Sequence, residues 1–155
     1  MKQEIENIKK IRLFTLEQIK DLTTAQLNEI PAGFNNNIIW NLAHLVSAQQ
    51  GLCYLRSGLE ITTDDKYFSP FRPGTKPEAV VEAADIEIIK QLLISTTERL
   101  EADYAAQAFA SYTPVKTRYD VELTSIEEAI RFVLFHEGFH SGYILALKRI
   151  ILASL

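Results

Sequence analysis

Among the 155 residues are three histidines, and two of them stand four positions apart in Phe135-His136-Glu137-Gly138-Phe139-His140. On a helix that spacing turns both rings to one face, about 6 Å apart along the axis, where they can bind one metal ion. The string also fits the His-Glu-x-x-His pattern of zinc proteases, whose glutamate serves as a base toward a metal-bound water. That makes Glu137 a candidate base. The pattern is short enough to arise by chance, however, and nothing here resembles the strand-rich lobe of such proteases, so the protease reading is minor. His44 sits in Trp40-Asn41-Leu42-Ala43-His44-Leu45. Its apolar neighbours predict burial, and a buried imidazole needs a partner. If its helix adjoins the one bearing His136 and His140, three imidazoles share one divalent ion. Three protein ligands leave a position open for water or substrate, the pattern of a catalytic site. The competing reading is three unrelated histidines, each hydrogen-bonded in its own place.

Asn41 precedes His44 by three residues and Asn37 by seven, so both flank its face. Asn41 is the better candidate to orient a ligand or a bound water, against the alternative of an asparagine facing solvent. Gln49 and Gln50 read as solvated. Cys53 falls about 180° round the helix from His44 and reads as a small buried apolar residue. As the only cysteine it excludes an internal disulfide and points to a reducing compartment.

The elements that would carry these residues are helical. Ile5, Ile8, Leu13, Leu16, Ile19 and Leu22 recur at helical spacing in a first helix from Gln3 to Glu29, broken by Pro31 and Gly33. A second helix opens at Asn35 to Asn37 and ends before Gly58. The connection from Gly58 to Pro77 is long for a compact domain, and such loops tend to be functional or dimer-forming. Pro77 suits the first turn of a third helix running to Ala110, with Glu78 and Glu82 near its positive end. The segment Ser111 to Leu123 holds a β-prone stretch, Thr117 to Val121. A fourth helix opens at Thr124 or Ser125, with Glu127 and Glu128 placed for a capping box, and runs to Ala153. The fold class predicted is all-α: a four-helix bundle with a long connection between helices 2 and 3, residues 1–155 forming one domain. A helical solenoid would need repeats, and there are none.

A net charge of −4 and a pI near 5.4 disfavour a nucleic-acid partner, which would require a basic patch, and the sequence shows no Lys/Arg cluster beyond Lys9, Lys10 and Arg12. No apolar run approaches the ~20 residues of a membrane span, and Met1 to Lys10 lacks the apolar stretch of a signal peptide. The expectation is a soluble, cytoplasmic protein.

The histidine motifs, Trp40-Asn41-Leu42-Ala43-His44-Leu45 and His136 through His140-Ser141-Gly142-Tyr143-Ile144, resemble those of the DinB-like (DinB/YfiT) superfamily. Val121-Glu122-Leu123-Thr124-Ser125 and the Phe71 to Gly74 loop are also similar. The resemblance covers the whole chain and implies a four-helix bundle, frequently a homodimer, with nickel, zinc or a similar divalent ion on His44, His136 and His140. Many relatives carry a glutamine where this chain has Tyr143. Tyr143 lies on the face of His136 and could line the site, or pack as an amphipathic ring with its hydroxyl at the surface; the glutamine's role does not transfer. Characterised relatives are thiol-dependent transferases and isomerases using bacillithiol, mycothiol or glutathione, which suits a metal that lowers the pKa of a bound thiol. The resemblance thus implies a metal-dependent enzyme of the thiol S-transferase or hydrolase type, acting on a low-molecular-weight thiol or a small anionic substrate. The alternative is a non-catalytic, stress-response interaction module whose metal only pins two helices.

Overall fold

The computed structural model describes residues 1–153. Its first helix, α1 (Lys2–Ile19), buries Ile5, Ile8, Arg12, Thr15 and Ile19, positions that share one face. Leu13, expected in that stripe, is about half exposed, and Arg12 takes its place inside. The helix stops at Ile19, not near Glu29. Thr23 opens a separate short helix, α2 (Thr24–Asn28): its hydroxyl accepts from the Gln26 amide, and the Gln26 side chain accepts from the Thr23 amide. This capping box satisfies backbone donors that a continuous helix would have used internally.

Asn37 caps α3 (Ile38–Gln49), its Oδ1 accepting from the Trp40 amide at 2.9 Å. Every residue of α3 is buried. The helical path runs on through a π turn (Gln50–Tyr54) and a 3₁₀ turn (Leu55–Ser57) and ends at Gly58 with φ +74°. That is the stop expected there, because glycine takes the left-handed conformation without strain. Gln49 and Gln50 are fully buried rather than solvated. Gln49 accepts from Arg12, and Gln50 Oε1 accepts from the Thr62 amide, so each has exchanged water for a protein partner.

The connection after Gly58 contains two 3₁₀ turns, Asp65–Tyr67 and Ser69–Phe71, and buries Tyr67, Phe68 and Phe71. The third long helix, α4, spans Ala83–Ala105, beginning later than Pro77 and ending before Ala110. Asn28 accounts for the late start. Its side chain donates to the Val81 carbonyl at 3.0 Å and accepts from the Val81 amide at 2.8 Å, occupying groups that a helix would have to bond internally. A two-stranded antiparallel hairpin follows, β1 (Val115–Lys116) with β2 (Glu122–Leu123). The β-prone Thr117 to Val121 is its turn, closed by the Thr117 amide on the Val121 carbonyl at 2.8 Å. The last helix, α5 (Ile126–Ala153), starts where expected. Glu128 closes the cap: its amide donates to Ser125 Oγ while its carboxylate accepts from the Thr124 amide. Glu127 instead accepts from the Tyr104 hydroxyl.

The fold is all-α apart from this hairpin, and α1 and α3 each pack against both α4 and α5. Two apolar clusters fill the interior, one including Ile19, Leu45, Leu93 and Ile144, the other Ile8, Leu100, Ile130 and Val133. Along each helix a polar residue separates them, and these residues meet at Arg12. Its guanidinium donates to Glu137 Oε1 (2.6 and 3.0 Å), Gln49 Oε1 (2.8 Å), Thr96, Thr97 and the carbonyls of Leu45 and Leu93. One buried cation therefore ties all four long helices in a single register. No helix among the described residues is long and apolar enough to cross a membrane.

Candidate metal centre

The packing of α3 against α5 brings His44, His136 and His140 together. One ring nitrogen of each lies within 4.8 Å of the other two. The ring centroids are 5.1 Å apart for His44 and His136, 4.9 Å for His44 and His140, and 4.3 Å for His136 and His140. A tetrahedral ion with bonds of ~2.0 Å needs ligand nitrogens ~3.3 Å apart, so small side-chain adjustments suffice.

Two of the rings are held by partners on the side away from the cluster. His44 Nδ1 lies 2.7 Å from the Phe71 carbonyl. That oxygen can only accept, so Nδ1 carries the proton and Nε2 keeps its lone pair. His140 Nδ1 lies 2.8 Å from Asn41 Oδ1, which fixes the same tautomer. Asn41 is itself fixed by its amide, which donates to the Asn37 carbonyl at 2.7 Å. Trp40 stacks on His44 at 4.7 Å with the planes 10° apart. This pattern of hydrogen-bonded, sterically clamped imidazoles is that of histidines built to ligate.

Burial holds all three rings in the neutral, ligand-competent form. It pushes His136 down to about 2, with the neighbouring His140 and His44 adding to the effect, and His140 down to about 3, with His44 adding. His44 is lowered by burial, against its bond to Phe71.

The family model of the DinB superfamily matches residues 12–144, a span that includes all three histidines. The chain belongs to the DinB superfamily. No curated protein matches it.

In this DinB-superfamily chain the histidines form part of the wall of a cavity of about 920 Å³, within the range of small-molecule sites. Tyr143 lines the same cavity, with its ring edge-on to Phe34 at 5.8 Å. Glu137 does not line it. It is fully buried on another face of α5, where its Oε1 accepts from Arg12 and its Oε2 has no hydrogen-bond partner. Burial raises its pKa, against the pull of Arg12. Its buried pair with Arg12, at 2.6 Å, holds the carboxylate away from the cavity that His136 and His140 line. Cys53 is buried in the second apolar cluster, away from the histidines.

Three contributors went unread in the sequence: the Phe71 carbonyl, the Trp40 ring and Arg12. Trp40 was within reach, since it precedes His44 by one helical turn. Arg12 had a signal too, as the one charged residue on an otherwise regular buried face of α1. The Phe71 carbonyl comes from a loop whose path no periodicity describes.

Proposed function

We propose that this chain is a divalent-metal-dependent enzyme of the thiol S-transferase or hydrolase type, using an open three-histidine site that takes nickel or zinc. The observation carrying this reading is the convergence of three neutral imidazoles on the wall of a cavity, two with their Nδ1 protons already committed to protein acceptors. His44, His136 and His140 would be the ligands. Bound there, a divalent ion would lower the pKa of a coordinated thiol or water and so supply a nucleophile at neutral pH. The chain's own part is to position. Phe71 and Asn41 hold the imidazoles, Trp40 clamps His44, and the cavity gives a substrate a place beside the ligands. Tyr143, at the cavity wall, is a candidate to donate a hydrogen bond to bound substrate. Among the described residues the cluster holds three and no fourth, which favours an open site over an ion that merely pins helices. We also read the chain as one cytoplasmic domain working as a homodimer, on its single reduced cysteine and its family.

The test is metal analysis of protein produced with nickel and zinc available, followed by thiol-conjugation and esterase assays with and without chelator. About one metal per chain, lost in His44→Ala, and a chelator-sensitive activity are expected. Metal-free protein under these conditions would refute the reading. One metal per chain without either activity would favour the non-catalytic module.

A further inference from the structure

The cavity beside the histidines is charged unlike the rest of the chain. The sequence carries a net charge of −4, yet the side chains lining the cavity include Arg56, Arg72, Lys116 and Arg118 and not one aspartate or glutamate. Lys116 is paired with Asp120. The three arginines have no carboxylate partner among the described residues. Arg72 donates only a long bond to the Ser69 carbonyl, at 3.4 Å, and Arg118 lies 5.9 Å from the centre of the Tyr119 ring. They come from three separate segments: the 3₁₀ turn after α3, the long connection, and the hairpin turn. Three uncompensated guanidinium groups around one cavity, Arg56 half-buried and Arg72 and Arg118 exposed at its mouth, give it a positive potential, and their planar forks match carboxylate geometry. The same cavity has an aromatic wall, from Phe68, Phe132 and Phe139.

We infer that the substrate is an amphipathic organic anion, with its apolar body against Phe68, Phe132 and Phe139 and a carboxylate or similar oxyanion gripped by Arg56, Arg72 and Arg118. The inference rests on the reading of this cavity as the substrate site. It narrows the substrate class: a neutral molecule of the same shape would leave the arginines unanswered.

The sole tryptophan, Trp40, lines this cavity and stacks on His44, so its fluorescence reports on occupancy. The experiment titrates 4-phenylbutyrate and its neutral amide into the protein as purified and after chelation, by Trp40 fluorescence and by calorimetry. The carboxylate is expected to bind roughly tenfold more tightly than the amide in both preparations, with a preference that fades as salt rises. In Arg72→Gln/Arg118→Gln the preference is lost while amide binding, the control for an intact cavity, is unchanged. The single variants are expected to lose part of it. Equal binding of the two probes overturns the inference, as does a preference that survives in the double variant. A preference that vanishes on chelation also overturns it, because the anion is then read by the metal, and the metal reading stands. A preference in protein that never binds metal upholds the arginines and sinks the metal reading.

Discussion

Replacing Arg12 by methionine tests whether the polar layer at mid-height is what holds the four long helices in register. Methionine fills much of the same volume without charge. The Arg12–Glu137 pair is fully buried at 2.6 Å, so the substitution strands a carboxylate whose second oxygen already lacks a partner. The carbonyls of Leu45 and Leu93 lose less, since each lies within a helix that bonds it internally. Almost all of the cost should therefore be that of an unpaired buried charge, about 3–5 kcal/mol. Urea denaturation of the metal-free protein reads this directly, as a lower midpoint with an unchanged slope. The sign of the pH dependence follows from Glu137. Without Arg12 its carboxyl is raised still further, so the native variant holds a proton that the unfolded chain releases. Stability is then lost as pH rises through the raised value, and the gap between variant and parent should widen as pH rises above the ordinary glutamate range. Arg12→Met/Glu137→Leu removes both charges and should recover most of the loss. A loss under about 1 kcal/mol in the single variant, or a double variant no better than the single one, would refute the reasoning.

His136 and His140, pushed down to about 2 and about 3 by burial, stay neutral where the unfolded chain takes up protons. Their contribution is complete above pH ~6.5 and is lost as pH falls, by at most about 2.7 kcal/mol per pH unit for the two; acid titration of metal-free protein by circular dichroism should show steep unfolding between pH 6 and 4, and a native signal unchanged at pH 4 would contradict it. Asn41→Leu removes the acceptor that orients His140 and should weaken metal binding roughly 10- to 100-fold in competition with a chromophoric chelator. An unchanged affinity would mean that the asparagine serves α3 alone. The Cys53 thiol is buried and pushed up to about 12 by that burial, so Ellman's reagent should label it only in denaturant; rapid labelling of native protein would show that the second apolar cluster opens.

The histidine cluster was the most legible part of the molecule, because ligand chemistry restricts residue type and the i, i+4 spacing of His136 and His140 restricts geometry. Helix ends signalled by one residue's own chemistry were also legible, as at Asn37, Gly58 and Ser125. What escaped was decided by contacts distant in sequence. α1 stops early partly because Thr23 and Gln26 cap a new helix, which was readable locally, but α4 starts late because Asn28 seizes Val81. Gln49 and Gln50 were assigned to solvent on residue type, and their partners, Arg12 and Thr62, lie in other segments. Arg12 itself shows the limit of hydrophobic patterning. A burial stripe records which face points inward, and a charge on that face is invisible to it until its partner is known.

That partner also bears on how the His-Glu-x-x-His string is used. For Glu137 to serve as a base beside a metal on the histidines, its carboxylate would have to leave Arg12. Leaving would strand Arg12 as a buried unpaired cation, at a cost of the same order as the Arg12→Met loss. The two faces of that one turn are instead complementary. Arg12 grips α5 through Glu137 and α3 through Gln49 and the Leu45 carbonyl, and Leu45 is the residue next to His44. The clamp that fixes α3 against α5 thus acts within one residue of each of two of the clustered histidines, His44 and His136. A helical slip that separated the imidazoles would have to break the buried ion pair first.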